Sequence, residues 1–205
     1  MQTSMAKHLS EQFWEEKYLN GQMGWDMGVV SPPLSAYAAQ LNDRDCSVLI
    51  PGCGNAYEAL YLARSGFSDI TVVDIATAPL RNLREKLESA NLNHVRLLHA
   101  NFFELQGRFD LMLEQTFFCA IDPVLRRQYV RKAAELLAPD GVLAGVLFAT
   151  HFADEGPPYG GTEPEYRSLF AKAFTIDTMT PCYNSHPKRM GNELFIRMHP
   201  LRPRT

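Results

Sequence analysis

No run of 18 apolar residues occurs in the chain, so no membrane-spanning helix is expected. The first residues, Met1 to Glu11, are polar and lack the apolar core of a secretory signal. Cysteine is scarce. Cys46, Cys53, Cys119 and Cys182 lie far apart, with neither disulfide-framework nor zinc-ligand spacing. Free thiols in a reducing cytoplasm are the expectation. The six histidines are equally scattered, which gives a metal site little footing. Positive charge does not dominate either. Twenty Lys and Arg stand against 23 Asp and Glu, a net charge of -3, whereas a nucleic-acid binder presents a basic face. The pairs Arg126-Arg127, Arg131-Lys132 and Lys188-Arg189 read as solvated faces of helices or loops.

What remains has ordinary globular proportions, 46% hydrophobic and 21% charged. A chain of 205 residues can bury one substantial core. Composition does not shift midway, and neither an internal repeat nor a low-complexity tract is visible. One domain is therefore expected: a helical N-terminal segment, residues 1–45, and a core, residues 46–205.

From Val48 onward, apolar runs alternate with helical patterns, which predicts βαβ units and an α/β fold with a largely parallel sheet. Val48 to Ile50 reads as the first strand, and a helix follows with Ala56, Ala59, Leu60 and Ala63 on one face, closed by Gly66. Ile70 to Asp74 reads as the second strand. Thr77 is placed to cap the next helix, which carries Pro79 in its first turn and Leu80, Leu83 and Leu87 along one side. Val95 to His99 and Phe109 to Glu114 read as strands three and four. Asp122-Pro123 opens a helix with Leu125, Tyr129, Ala133 and Leu136 as its buried stripe. Pro139-Asp140-Gly141 reads as a turn before a buried strand, Val142 to Phe148. Beyond the Pro/Gly loop Gly156 to Gly161 come a helix at 163–172 and two strands, Phe174 to Thr180 and Glu193 to His199. No helix joins that pair, so an antiparallel hairpin is expected. Ahead of all this, Ser10 to Leu19 looks helical with Phe13, Trp14 and Tyr18 as its apolar side, and Ser31-Pro32-Pro33 starts a second helix.

The strongest local signal is a strand, then Gly52-x-Gly54, then a helix, then a strand that ends in an acid. Such glycines let the backbone approach a ligand where a Cβ would clash. Asp74 stands 20 positions after Gly54, where a carboxylate accepts hydrogen bonds from ribose hydroxyls. The third glycine of the dinucleotide fingerprint is missing, its place taken by Tyr57. An adenosyl cofactor without phosphates fits this turn better than a pyrophosphate cofactor. A plain tight turn beside a surface aspartate shows the same glycines, but strand context and acid spacing speak against it. Asn101 and Phe102, and Gln115 through Cys119, fall at the carboxyl ends of strands three and four, where open α/β sheets hold ligands. Asn101 is placed to accept from an adenine amino group while Phe102 covers the ring. Phe103 and one of Phe117 and Phe118 read as core.

Five segments in order now carry a resemblance: Phe13-Trp14-Glu15-Glu16-Lys17-Tyr18; Gly24-Trp25-Asp26-Met27-Gly28; Pro51-Gly52-Cys53-Gly54; Phe117-Phe118-Cys119-Ala120-Ile121-Asp122-Pro123 with Arg126; and Gly156-Pro157-Pro158-Tyr159. Together the chain resembles the thiopurine S-methyltransferase family, closest to its halide and thiol (thiocyanate) methyltransferase branch, from about Phe13 to Met198. The resemblance implies a Rossmann-like class I methyltransferase fold, a seven-stranded sheet with an antiparallel final strand, and helices on both faces. It implies S-adenosyl-L-methionine as cofactor and a small-molecule acceptor as partner, in a monomer or homodimer. Carried over by position, it assigns Trp14, Trp25, Gly52, Gly54, Asp74, Asn101, Phe102 and Gln115 to the cofactor. Asn101 replaces an aspartate common in that branch, and Gln115 a tyrosine or arginine.

Trp25, Phe117, Phe118 and Tyr159, with Cys119 beside them, are expected to form an acceptor wall without a placed carboxylate. Tyr159 and His151 are the candidates to orient or deprotonate a thiol, and the N-terminal segment is expected to act as a lid. Other readings stay open: methylation of oxygen or nitrogen in a small metabolite, non-catalytic cofactor binding, or a nucleotide-dependent oxidoreductase.

Overall fold

Every residue of β2 (Ile70–Asp74) is buried, as a strand covered on both faces requires. The computed structural model describes residues 9–153 and 156–201; residues 1–8 of the expected lid lie outside the described residues. Around β2 the other strands are β1 (Val48–Pro51), β3 (Val95–His99), β4 (Phe109–Gln115), β5 (Leu137–Phe148), β6 (Phe174–Pro181) and β7 (Glu193–Pro200). They form one seven-stranded sheet in the order β3-β2-β1-β4-β5-β7-β6. β1 to β5 run parallel, and β7 lies antiparallel between β5 and β6. The expected hairpin and reversed last strand are both present.

Strand side chains alternate between faces, and two separate cores result. Val48, Ile50, Ile70, Val72, Leu111 and Leu113 face α2 (Pro32–Ala39), α3 (Tyr57–Arg64) and α4 (Thr77–Ser89). Leu49, Val73, Met112 and Leu143 face α5 (Arg126–Leu136) and α6 (Glu163–Phe170). α1 (Glu11–Leu19), capped by Ser10, has no buried residue and lies across α4.

Several expectations change at this level. On α3 the buried stripe is Glu58, Ala59, Leu62 and Ala63, with Leu60 only partly buried at its edge, because the face turned to the sheet is centred between Ala59 and Leu62. Thr77 is the first residue of α4, not its cap. The side chain of Glu15 on α1 caps instead, accepting from Thr77 Oγ1 and Ala78 N, both at 2.9 Å. Pro139-Asp140-Gly141 lies inside β5. There the register against β4 advances two residues on one strand and five on the other, so the excess is absorbed as a bulge. The basic pairs are not uniformly solvated: Lys132 and Arg189 are buried, and Arg126 packs 4.7 Å from the Phe118 ring centre.

A cleft at the switch point of the sheet

The helices cross from one face to the other between β1 and β4, and the gap at the carboxyl ends of these strands is where such sheets bind ligands. A cleft of about 1310 Å³ opens there. Its floor begins with the turn after β1, where Gly52, Gly54 and Ala56 all have positive φ (60°, 53° and 53°). The two glycines serve different purposes. At Gly52 a Cβ would collide with the ring of Phe117, so protein, and not ligand, occupies that space. At Gly54 a Cβ would meet only Trp25 Nε1 at 3.8 Å and Tyr18 Oη at 3.9 Å. Gly52→Ala is therefore expected to displace Phe117 and destabilise the fold by about 1–3 kcal/mol. Thermal unfolding measures this, and a melting temperature unchanged from wild type would remove Phe117 as the reason for the glycine.

Asp74 ends β2 on the cleft, 6% exposed. Its Oδ1 accepts from Ala76 N at 2.8 Å. Burial pushes its carboxyl up to about 6, against hydrogen bonds from Ala76, Cys53 and Gly54 that pull it down. Gln115, at the end of β4, also lines the cleft, and both atoms of its buried amide lack a protein partner. An orphaned buried amide costs free energy unless something polar meets it. These two groups, a carboxylate for hydroxyls and an amide for a charged end, match the ribose and methionyl portions of an adenosylmethionine.

The roof comes from α1 and the 20–31 connection. Trp25 sits edge-on to both Trp14 and Tyr18, with ring centres 5.6 Å apart in each case. Three ties hold this roof, besides the Glu15 cap. Asp26 accepts from Asn55 Nδ2 at 2.6 Å and Tyr57 Oη at 3.3 Å. Buried Glu58 accepts from Ser31 N at 2.9 Å. Buried Arg189, paired with Glu193 at 3.3 Å, donates to the carbonyl of Trp25. Tyr18 is a residue the sequence reading left as helix packing. Burial and the charge of Asp74 push its phenol far above its ordinary value, and its place one turn after Trp14 was the available signal.

Toward the other end, Phe117, Tyr159 and Cys119 line the cleft as expected, with the Tyr159 N–H donating to the Cys119 carbonyl at 2.7 Å. Arg126 fixes the loop that carries Tyr159, donating to the carbonyls of Tyr159 (2.8 Å) and Gly160 (3.1 Å). Phe118 does not line the cleft. It is 1% exposed and packs on Tyr129, Tyr166 and Phe170, since the residue after Phe117 faces the other way into the core. Phe103 packs against the core as read and also borders the cleft, as does Phe102, which is 4% exposed and stacked 5.4 Å from Tyr129. Asn101 lines the cleft, but its Oδ1 already accepts from Phe103 N at 3.0 Å. His151 is exposed and outside the lining. Asp122 lines the wall, contrary to the expectation of no carboxylate; its Oδ1 accepts from Val124 N, and burial of Tyr159, followed by the charge of Asp122, raises the Tyr159 phenol. A phenol pushed upward stays protonated. It can orient an acceptor but is poorly suited to take its proton.

The chain is similar to known proteins over most of its length. The model of the thiopurine S-methyltransferase family matches residues 9–194. A probable thiol methyltransferase 2 of Arabidopsis thaliana is 30% identical over 159 residues, covering 76% of this chain and 70% of that one. Thiocyanate methyltransferase 1 of the same plant is 27% identical, covering 95% and 87%. A 2-heptyl-1-hydroxyquinolin-4(1H)-one methyltransferase of Mycobacteroides abscessus is 28% identical, covering 77% and 70%. Among solved structures, the Burkholderia thailandensis 1,6-didemethyltoxoflavin-N1-methyltransferase, crystallised with 1,6-didemethyltoxoflavin and S-adenosylhomocysteine, superposes with a TM-score of 0.77 at 22% identity, covering 96% and 89%. With a carboxylate and an orphaned amide at the switch point of a seven-stranded sheet, and a family match over nearly the whole chain, this protein belongs to the thiopurine S-methyltransferase family and is an S-adenosylmethionine-dependent methyltransferase.

Proposed function

We propose that the acceptor is a small, soft nucleophile: a thiol, hydrosulfide, thiocyanate or a halide. The observation that carries this reading is the acceptor wall of Trp25, Phe117, Tyr159 and Cys119, which is largely apolar, with a phenol that stays protonated and a single carboxylate, Asp122, already held by Val124 N. Such surface favours weakly hydrated nucleophiles, whose desolvation costs little. Soft anions also need no proton removed. The thiol and thiocyanate methyltransferases among the relatives support the assignment.

The bound cofactor supplies an already activated methyl sulfonium, so the protein's contribution is position and a dry pocket. In this reading Asp74 accepts from the ribose hydroxyls, and Gln115 meets the methionyl end. Asn101 and Phe102, with Phe103 beside them, border the adenine. Gly52 and Gly54 shape the turn beneath it. Trp14, Tyr18 and Trp25 form a lid that excludes water, and Tyr159 orients the acceptor. His151, outside the cleft, has no part.

The volume favours a second reading. About 1310 Å³ exceeds the roughly 300–1,000 Å³ of an ordinary ligand pocket, and so admits a ring-sized acceptor beside the cofactor, including one methylated on oxygen or nitrogen. One panel separates the two. Hydrosulfide, thiocyanate, iodide and thiophenol are assayed beside a catechol, an N-hydroxy heterocycle and an aromatic amine, with methylated product followed by mass. Product from the sulfur and halide acceptors is expected, with little from the rest. Turnover confined to oxygen or nitrogen acceptors would overturn the assignment while sparing the donor site.

A further inference from the structure

We propose that Glu114 is a positioning residue for methyl transfer, a buried clamp that aims Gln115 and Phe117 into the cleft. The inference rests on the reading of Gln115 given above. Glu114 is the penultimate residue of β4 and is 0% exposed. No cationic side chain pairs with it among the described residues. Its Oε1 accepts from both Phe117 N and Phe118 N at 2.8 Å, and its Oε2 accepts from Tyr129 Oη at 2.6 Å. Even with three donors, burial pushes its carboxyl up to about 7. Opposite on β5 stands Gly145, where a Cβ would strike the Glu114 side chain and carbonyl.

A carboxylate placed there is costly, and an apolar residue of similar size is the ordinary solution inside a sheet. The turn it holds explains the choice. Thr116 adopts φ 61°, a left-handed conformation that a β-branched residue avoids and that persists only where its surroundings over-determine it. The strained Thr116 is bracketed by Gln115, whose amide atoms are aimed without partners, and by Phe117, whose ring fills the space over Gly52. Glu114 satisfies two of the turn's N–H groups from below and so fixes both neighbours. The ionisable groups facing it are Tyr129 from α5 and Cys119 from the turn. Protonation does not open the clamp: Oε1 still accepts both N–H groups, and the new Oε2–H donates to Tyr129 Oη. A glutamine reproduces that state, its amide donating to the tyrosine.

The test is calorimetric titration of the full chain with S-adenosylhomocysteine and, separately, with adenosine, which lacks the methionyl end. Glu114→Leu is expected to lose about tenfold in S-adenosylhomocysteine affinity, the scale of one lost polar contact, and less than about twofold for adenosine. Gln115→Ala is expected to lose as much, and the double variant no more than either alone, because both changes remove one interaction. Glu114→Gln recovers the affinity. If the leucine variant does not fold, Glu114→Asp takes its place, since it keeps the charge but draws the carboxylate back from the two N–H groups. Additive losses, or an equal loss for adenosine, would overturn the clamp as a mere structural support. Wild-type protein that binds neither ligand would instead overturn the cofactor site on which the clamp depends.

Discussion

Asp74→Ala should weaken S-adenosylhomocysteine binding by roughly 10- to 150-fold, the equivalent of about 1.5–3 kcal/mol for charge-assisted hydrogen bonds. The fold should survive, because the side chain ends a strand at the cleft and its internal hydrogen bonds, from Ala76, Cys53 and Gly54, all come from the two adjacent turns. The carboxylate form is the one that accepts two hydroxyls. Its carboxyl titrates near 6 in the free protein, so affinity should fall as pH drops below about 6, approaching tenfold per unit. Stability runs the other way. Between its ordinary 3.8 and about 6 the folded protein holds a proton that the unfolded chain has lost. That contribution to stability is therefore lost as pH rises through this window. Asp74→Asn should flatten both dependences. Titration calorimetry at pH 5 and 8 decides the matter; an affinity indifferent to the substitution removes Asp74 from the site.

Removing residues 1–29 should leave a folded protein whose turnover is lower by on the order of a hundredfold, the scale for a catalytic site that loses its geometry. The cut lies between two kinds of contact. It spares Ser31, whose N–H satisfies buried Glu58, and it spares α2, whose Leu34 and Ala38 belong to the core. It takes away α1, which buries nothing fully, together with Trp14, Tyr18 and Trp25 over the cleft. Circular dichroism and a melting curve report the fold, and product formation reports the rest. A truncated chain that fails to fold would make this segment structural and end the lid reading.

The parts of the fold that could be read from residues alone are those fixed by local pattern. Ile70–Asp74 is buried throughout because helices cover both its faces, and no α-helix lies between β6 and Glu193–Pro200, only the short 3-10 turn Pro187–Arg189, so the two strands pair antiparallel. Pro139-Asp140-Gly141 misled because proline and glycine mark a bulge as readily as a turn. Thr77 misled for a different reason: its cap arrives from Glu15, 62 residues earlier in the chain, and no window of sequence contains both. At the site, Asp74 and Gln115 were found through strand ends, which are visible in sequence. Phe117 and Phe118 are adjacent and chemically identical, so only the left-handed turn at Thr116 decides which one reaches the cleft. Glu114 carried a signal that went unread: an acid ending a buried apolar strand must be satisfied by something nearby. Gly52 was assigned to the ligand, yet the aromatic ring that needs the space lies 65 residues away, Phe117 against Gly52.

The cap that Glu15 places on α4 has a consequence for the order of events at the cleft. A helix normally ends on its own residues, but the first turn of α4, three residues beyond Asp74, borrows its terminator from α1, a separate segment over the cleft. Lifting α1 strips two donors of their partner at the very helix that follows Asp74. Opening is thus opposed from a point no ligand touches, and by reciprocity any ligand that steadies α4 also draws α1 down. The place of α1 over the cleft is thus tied to a helix end behind it as well as to the tryptophans in front.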